Sequence, residues 1–327
     1  MESKKDTFLA HKNENVKNFL RKPEWLRKKK DIFQNHEMKK ILHKYNLHTV
    51  CENAFCPNIT ECFKKNTATF MILGDICTRD CKFCGIKKGI PNFESKNKDE
   101  AENIIKIIKN LNLGYIVITM VSRDDLEDGG ASYFVEIVRN IRKKILYKKN
   151  LYIEILTSDF YSRKYKDKTF EFYKKDLKNY IKNFEDAGIN VFGHNIETVR
   201  KIYKDVRTIA QYDISLNFLR QLKENITNPY ILTKTAMILG LGETSQEVEE
   251  TFWDIKKTGC DIIMLGQYIA PSLKHYQVKK YLKPEEFENY KNLALKIGFK
   301  YVEAGSFVRS SYNAKNIFEN IRNKLIL

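Results

Sequence analysis

The stretch of sequence that decides the fold spans residues 69–84 and reads "TFMILGDICTRDCKFC". Its first five residues, 69–73, are apolar and rich in strand-forming types, a pattern that predicts a buried strand. The loop that follows carries Cys77, Cys81 and Cys84 in the spacing CxxxCxxC. Because three thiols close on one loop directly after a strand, they can bind one metal centre together.

Outward from this stretch, apolar runs alternate with amphipathic segments. The predicted strands cover 69–73, 114–121, 151–157, 189–193, 232–239, 261–265 and 299–303. The predicted helices between them cover 99–112, 131–146, 173–187, 213–225, 245–257 and 284–297, and a short helix is predicted earlier, over 36–46. This alternation predicts right-handed crossovers and a parallel sheet. We expect an α/β fold, a partial (β/α)6 TIM-like barrel with N- and C-terminal extensions, and a doubly wound sheet is the alternative.

Polar sequences follow several of these strands. They are "SRDDLEDGG" at 122–130, "TSD" at 157–159, "HNIET" at 194–198 and "GLGET" at 240–244. Because active sites in such barrels lie at the C-terminal ends of the strands, these sequences should line one mouth. Each can also be an ordinary loop, since Asp128, Asp159 and Thr244 stand where a helix N-cap is expected.

The composition is strongly basic, with 58 Lys and Arg against 41 Asp and Glu and a formal net charge of +17. Such a surface attracts nucleic acid, anionic membranes or acidic proteins. The lysines are spread along the whole chain, which favours a solvated surface and, among partners, an acidic protein over nucleic acid or membrane.

No run of eighteen apolar residues occurs, and the first residues lack an apolar signal core. We expect a bacterial cytoplasmic location, or alternatively the stroma or matrix of a bacterial-derived organelle.

The cysteine usage points to iron–sulfur chemistry. Three thiolates can hold three irons of a four-iron cluster and leave one iron open, whereas structural zinc requires four ligands. We call Cys51, Cys56 and Cys62, which have the spacing CxxxxCxxxxxC, the first cysteine group, and Cys77, Cys81 and Cys84 the second cysteine group. Since the first group cannot serve the cluster of the second group without overcrowding it, a separate cluster is the simplest inference. Disulfides are less expected, because the chain is neither small nor visibly secreted.

These motifs carry a family resemblance. The spacing CxxxCxxC, with Phe83 before the last cysteine, resembles the radical S-adenosylmethionine superfamily, whose fold is a partial β/α barrel. Both cysteine groups in this order, followed by "VRSSY" at 308–312, resemble the lipoyl synthase family. The resemblance covers nearly the whole chain and includes "RKPEWLR" at 21–27, "HTVCENAFCPNITECF" at 48–63, "VSRDDLEDGGASYF" at 121–134, "HNIETV" at 194–199, "KTAMILGLGET" at 234–244 and "GQYIAPSLKH" at 266–275.

The resemblance implies two 4Fe–4S clusters and S-adenosylmethionine as cofactors. Cys77, Cys81 and Cys84 would bind the catalytic cluster, and its open iron would chelate S-adenosylmethionine. The first cysteine group would bind an auxiliary cluster, with Ser311 as its fourth, catalytically important ligand. A serine oxygen is a hard and unusual iron ligand, so the iron that it binds is the one at which the ligand can be replaced.

The resemblance also suggests the residues that bind the cofactor. Asn195 and Glu197 would contact the nucleoside, and the carboxylate of Glu197 suits ribose hydroxyls as an acceptor. Arg123, Lys234 and Arg220 are further candidate cofactor or substrate contacts.

The implied reaction is sulfurtransfer. A deoxyadenosyl radical would remove hydrogen from carbon 6, and a second one from carbon 8, of a protein-bound octanoyl-lysine. The auxiliary cluster would supply the sulfur. The implied partners are octanoylated lipoyl domains of 2-oxoacid dehydrogenase E2 subunits, the glycine-cleavage H protein, an electron donor such as ferredoxin or flavodoxin, and an iron–sulfur carrier protein.

Two other functions are weighed against this one. The first is another two-cluster radical enzyme, either biotin-synthase-like or a methylthiotransferase. Such an enzyme would share the second cysteine group, but it would lack the combination of the first cysteine group with a C-terminal VRSSY. A zinc protein that binds nucleic acid is favoured by charge alone.

The expected parts of the chain are 1–65 with the auxiliary cysteines, 66–305 as the barrel, and 306–327 with the serine ligand.

Four smaller expectations concern single residues or turns. His194 is expected to have a structural hydrogen-bonding role, and Cys260 to be a buried small residue. Gly240 and Gly242 are expected to form a strand-end turn that lets the adenosyl group approach closely. Arg309 is expected to pair with an acid or to steady the serine ligand.

Overall fold

The structure, a computed structural model, describes residues 20–27, 40, 42, 44, 45, 47–53, 56–64, 67, 69–91, 99–145 and 151–326. Most of the helix predicted over 36–46 lies outside the described residues. A short 3-10 helix at Glu24–Leu26 is the first element described.

One eight-stranded sheet forms the centre of the fold. The described strands are β1 (His48–Thr49), β2 (Thr69–Ile72), β3 (Ile76–Cys77), β4 (Lys87–Lys88), β5 (Tyr115–Met120), β6 (Tyr152–Leu156), β7 (Val191–Gly193), β8 (Leu232–Leu239), β9 (Ile262–Gln267) and β10 (Tyr301–Gly305). The sheet order is β1-β2-β5-β6-β7-β8-β9-β10, and β3 pairs with β4. Only β1 runs antiparallel to its neighbour in this sheet. All seven predicted strands are confirmed.

Helices connect the parallel strands. They are α1 (Val50–Asn53), α2 (Ile59–Lys64), α3 (Glu100–Asn110), α4 (Ala131–Lys144), α5 (Phe170–Asp186), α6 (Arg200–Val206), α7 (Tyr212–Asn225), α8 (Ser245–Lys256), α9 (Pro284–Ile297) and α10 (Ala314–Ile326). The six helices predicted between strands are confirmed, and the pattern does not predict α1, α2, α6 or α10. Since β10 does not pair with β2 in the described sheet, the parallel strands form a partial barrel, as predicted.

Two separate hydrophobic cores hold the barrel together. The larger one lies between the outer face of the sheet and the surrounding helices. The smaller one fills the inside of the barrel, where Val117 of β5 and Met264 of β9 pack with Ile317, Phe318 and Ile321 of α10. The last helix therefore closes the barrel from within, which anchors the C-terminal segment beside the strands.

The expected helix caps are only partly observed. Thr244 caps α8 in a reciprocal capping box with Glu247. Asp128 accepts hydrogen bonds from the backbone of Gly130 and Ser132 at the start of α4. Asp159 caps no helix, because its carboxylate binds a buried arginine instead. None of the described helices combines the length and the apolar composition that a membrane span requires.

Candidate active site

The CxxxCxxC loop is held in place by one buried arginine, Arg79, whose side chain is 3% exposed. Its guanidinium donates to both carboxylate oxygens of Asp124, after β5, at 2.8–3.1 Å. It also donates to both oxygens of Asp159, after β6, at 2.8 and 2.5 Å. Burial alone would raise the pKa of Asp159, but the charge and hydrogen bonds of Arg79 lower it well below its usual range. Each polar group of this network has a partner, so the network fixes the loop to two strand ends.

Thr78, the residue before this arginine, adds a second attachment. Its backbone N–H donates to the carbonyl of Ser122 at 3.0 Å, and its hydroxyl donates to the same carbonyl at 2.9 Å. The hydroxyl also accepts from the backbone N–H of Asp124 at 3.0 Å. Two consecutive residues between Cys77 and Cys81 are therefore bonded to the end of β5, which leaves the cysteines little freedom.

The three thiols of this loop are half-buried in the structure. Burial raises the pKa of Cys84 to about 12, and the charges of Cys81 and Cys77 add to this rise. Burial also raises the pKa of Cys81, while the positive charge of Arg207 opposes it. Metal ligation requires the thiolate form, so a cationic centre would offset the cost of ionising these thiols.

Arg207, on the other side of the loop, is a residue that the sequence analysis missed. It forms a backbone bridge with Cys81, and its side chain is buried. One of its terminal nitrogens donates to the carbonyl of Asn195 at 3.2 Å and to the hydroxyl of Tyr203 at 2.5 Å. Its Nε is buried and has no partner among the described residues. No sequence signal marks it, because it lies at the end of α6 and outside every motif.

A pocket beside the loop is lined by Asn195, Glu197, Met237 and Arg309, among others. Glu197 has φ of +71°, a conformation that is sparsely populated for glutamate and is often found at functional sites. Asn195 donates its side-chain N–H to the Glu197 carboxylate at 3.1 Å. Burial raises the pKa of Glu197, although the charges of Arg207 and Arg309 oppose this. The mixture of acceptors, cations and apolar side chains suits a charged nucleoside.

The first cysteine group lies on two short helices that precede the barrel. Cys51 belongs to α1 and Cys62 to α2, with Cys56 between them. The backbone N–H of Cys56 donates to the carbonyl of Cys51 at 3.1 Å, which folds the segment into a compact turn. Burial raises the pKa of Cys51 to about 12, with contributions from the charges of Cys56 and Cys62. The three thiols are therefore close enough to affect one another electrostatically.

The C-terminal segment reaches back to this first group through three side-chain hydrogen bonds. The amide of Asn58 donates to the carbonyl of Phe307 at 2.5 Å, and the hydroxyl of Tyr312 donates to Glu61 at 3.0 Å. The hydroxyl of Thr69 donates to that of Ser311 at 2.8 Å, although the two lie 242 residues apart in the chain. The structure thus brings Ser311 to the strand that follows the first cysteine group.

Arg309 lines the pocket together with Asn195 and Glu197, and its segment also brings Ser311 to Thr69 near the first cysteine group. Burial lowers the pKa of Arg309, and the charges of Cys56 in the first group and of Glu197 in the pocket oppose this. Its segment approaches β9 so closely that a Cβ at Gly266 would come within 2.1 Å of the Val308 carbonyl oxygen. Only glycine fits at that position. The two candidate sites therefore share one wall.

Comparisons with known proteins agree with this geometry. Residues 71–255 match the model of the radical SAM superfamily. A lipoyl synthase from Caldicellulosiruptor bescii is 44% identical over 93% of this chain and 99% of its own length. The lipoyl synthase from Alkaliphilus metalliredigens is 43% identical over 92% of this chain and 97% of its own. The chain belongs to the lipoyl synthase family.

Among solved structures, methylornithine synthase superposes with a TM-score of 0.51 at 13% identity, covering 89% of this chain and 92% of its own. At that identity the likeness supports the fold alone. Membership of the lipoyl synthase family makes the protein a sulfurtransferase enzyme that uses S-adenosylmethionine and two 4Fe–4S clusters.

The donor sets of both sites fit such clusters. In the part of the chain that the structure describes, no three cysteine, histidine or acidic side chains converge to bind one metal ion. A four-iron cluster does not require this, because each thiolate binds a different iron and the ligands surround a cage. The loop supplies three thiols, and the first group supplies three thiols near a serine hydroxyl.

Three residues that the sequence analysis named as contacts do not line the pocket, because two of them are bonded to acidic side chains and the third is exposed on a helix. Lys234 is buried and donates to Glu154 at 2.8 Å. The guanidinium of Arg123 donates to the carboxylate of Asp125, two residues further on, at 2.7 and 2.8 Å. Arg220 is exposed on α7, eight residues or about 12 Å along the helix from its start near the mouth. The structure gives these three no position in the pocket, whereas Asn195 and Glu197 line it.

The structure bears on three of the smaller expectations. His194 contacts the carbonyl of Thr157 through Nδ1 at 3.0 Å, and burial lowers its pKa to about 4, as a structural role requires. Cys260 is buried, as expected. Gly240 and Gly242 do form a strand-end turn, with φ of +100° and +116°. A Cβ at Gly240 would clash with Gln267 and with the carbonyl of Lys280, so the protein's own atoms fill the space on that side of the turn. The approach of an adenosyl group to this turn stays a prediction.

Proposed function

We propose that this enzyme inserts two sulfur atoms, at carbons 6 and 8, into an octanoyl chain that is amide-linked to a lysine of a carrier domain. One observation carries the proposal. The segment 308–312 contributes Arg309 to the pocket beside the second cysteine group and Ser311 to the neighbourhood of the first. A single acyl chain that enters beside this segment can then be near both sites, and such proximity is what a two-site reaction requires.

Cys77, Cys81 and Cys84 would hold the radical-generating cluster, which when bound would supply the electron that cleaves S-adenosylmethionine to methionine and a 5′-deoxyadenosyl radical. Asn195 and Glu197 orient the nucleoside, with the Glu197 carboxylate accepting hydrogen bonds from ribose hydroxyls. Asn195 keeps this carboxylate in position by its hydrogen bond. Arg207 balances the charge of the thiolates from behind the loop.

Cys51, Cys56, Cys62 and Ser311 would hold the auxiliary cluster, which we treat as the sulfur-donating substrate. Ser311 is the ligand that can leave, because a hard oxygen ligand suits iron less well in a thiolate environment. The hydrogen bond from Thr69 holds the Ser311 hydroxyl in position until it leaves.

The partners follow from this reaction. The acyl carriers are lipoyl domains of 2-oxoacid dehydrogenase E2 subunits and the glycine-cleavage H protein. A ferredoxin or flavodoxin supplies electrons, and an iron–sulfur carrier protein rebuilds the consumed cluster. We place the reaction in the bacterial cytoplasm or in the matrix or stroma of a bacterial-derived organelle, and the relatives named above are bacterial.

We divide the chain into an extension over 1–65, a barrel over 66–305 and a C-terminal segment over 306–327. The hydrogen bonds from Asn58 to Phe307 and from Tyr312 to Glu61 support a joint role of the two outer parts. Neither part would hold the sulfur-donating cluster by itself.

An anaerobic assay tests the proposal with a synthetic octanoyl-lysine peptide, S-adenosylmethionine and dithionite, read by mass spectrometry. The reconstituted enzyme should yield the lipoyl peptide and 5′-deoxyadenosine. The Cys81→Ala variant should yield neither, while the matched Cys260→Ala variant, changed in a buried cysteine before β9, should yield both. A peptide recovered without added sulfur, despite 5′-deoxyadenosine release, would refute sulfur insertion.

A further inference from the structure

Three loops meet on the outside of the CxxxCxxC loop and make one continuous surface. The backbone N–H of Lys82 donates to the carbonyl of Val206 at 2.8 Å, and its carbonyl accepts from the N–H of Tyr276 at 2.9 Å. The hydroxyl of Thr208 donates to the carbonyl of Asp80 at 3.3 Å. We call the exposed side chains of residues 80–82, 204–209 and 272–279 the cysteine-loop surface. It covers Cys81 from the outside.

Two large aliphatic side chains are exposed on this surface. Leu273 is 73% exposed and Ile209 is 54% exposed. They stand on the two loops that are bonded to either side of residues 80–82. A single exposed aliphatic residue needs no explanation, but two that flank one buried reactive loop indicate a contact site.

The charge around these two residues is positive. Four lysines belong to the surface, and two aspartates oppose them: Lys82, Lys204, Lys274 and Lys279 against Asp80 and Asp205. Lys88, outside the surface, is paired with Asp80 at 3.0 Å. Among the described residues, the four lysines of the surface have no ion pair, so the surface keeps a positive field. Such a field attracts an acidic partner and speeds its association.

The chemistry of the adjacent cluster indicates what kind of partner this is. On the proposed function, each cleavage of S-adenosylmethionine takes up one electron, breaks one carbon–sulfur bond and releases methionine. That electron must come from outside the chain. Cys81 is half-buried and lies between the exposed residues Asp80 and Lys82, so an electron carrier on this surface would be close to the cluster.

We propose that the cysteine-loop surface is the docking site of an acidic one-electron carrier protein. Leu273 and Ile209 give the carrier an apolar contact, and the unpaired lysines bind its acidic rim. The acyl carrier then docks elsewhere, where its octanoyl chain can reach the wall formed by Arg309.

The test compares one double variant with a matched control. Leu273→Ser with Lys274→Glu changes the surface, and Leu295→Ser with Lys296→Glu changes a similar exposed pair on α9. With a reduced acidic flavodoxin as the electron source, the first variant should lose activity about ten-fold and bind flavodoxin more weakly, most clearly at low salt. With dithionite, both variants should keep wild-type rates and an unchanged KM for an octanoylated lipoyl domain.

Two other outcomes overturn the inference. Equal activity of the two variants with flavodoxin would show that the carrier binds elsewhere. A raised KM for the octanoylated lipoyl domain under dithionite would assign the surface to the acyl carrier. Failure of the wild-type enzyme to form lipoyl product with dithionite is a different result, since it concerns the proposed function and not the docking site.

Discussion

The two cysteine groups are attached to the protein in opposite ways. The second group stands on the loop that follows β2, and Arg79 bonds this loop to the C-terminal ends of two neighbouring strands. The first group stands on two short helices outside the barrel. There the attachments come from the other end of the chain, through Phe307 and Tyr312.

The difference matches what each site must do. A cluster that passes electrons to S-adenosylmethionine has to keep its geometry through every turnover, and a buried ion-pair network provides that rigidity. On the proposed function, the cluster of the first group has to be dismantled and rebuilt. The hydrogen bonds from Asn58 to Phe307 and from Tyr312 to Glu61 join the two ends of the chain at this site, and a single hydrogen bond of this kind contributes only about 1 kcal/mol.

Removing the guanidinium of the network should have the largest effect. Arg79→Met leaves Asp124 and Asp159 without their cation in a buried space, which should cost about 3–5 kcal/mol of unfolding free energy. We expect iron to fall from about eight to about four per reconstituted chain, because one four-iron cluster is lost and the first group keeps its own. Denaturant unfolding and iron analysis measure both.

A matched control separates this effect from the general loss of an arginine. Arg200→Met removes the exposed partner of Asp213, and an exposed pair contributes about 1 kcal/mol or less. The Arg79→Met variant would contradict this view if it kept its full iron content and unfolded with the same free energy as Arg200→Met. The second cysteine group would then not depend on the buried ion-pair network.

Removing the serine oxygen should have an intermediate effect confined to the first site. Ser311→Ala should leave 5′-deoxyadenosine formation in place, because the second cysteine group is unchanged. Lipoyl product should fall by about 10- to 100-fold, the size of loss typical when a group that supports a metal site is removed. Mass spectrometry of both products measures this, with Ser306→Ala as the control in the same segment. Full lipoyl yield from Ser311→Ala would contradict its role as a ligand.

The smallest effect should come from one of the attachments between the chain ends. Burial and the charge of Glu61 raise the pKa of Tyr312 to about 12, so at neutral pH its hydroxyl is protonated and donates. Tyr312→Phe should lower the unfolding free energy by about 1 kcal/mol and speed iron loss from the first site under a chelator. Tyr301→Phe, which removes a comparable bond to Glu303, should not change the rate of iron loss. Equal rates in the two variants would argue against Tyr312 as an attachment of this site.

Sequence patterns recovered the strands and most helices because both have a local period. They missed α10. Its apolar residues pack against the strands inside the barrel, and the sequence around α10 does not indicate that position. The resemblance to the family, and no local pattern, suggested Lys234 as a contact. The structure shows it bonded to Glu154 within the fold, because a cation in the barrel interior needs a buried acid.

The sequence by itself determined the metal chemistry and the parallel barrel, because thiol spacing and apolar alternation are properties of short segments. It named Ser311 only through the resemblance to a family. Only the tertiary structure decided that Ser311 meets Thr69, that Arg79 ties the cysteine loop to two strands, and that Arg207 stands behind Cys81. Those contacts join residues 45 to 242 positions apart, or depend on how a loop folds back, and no local pattern encodes them.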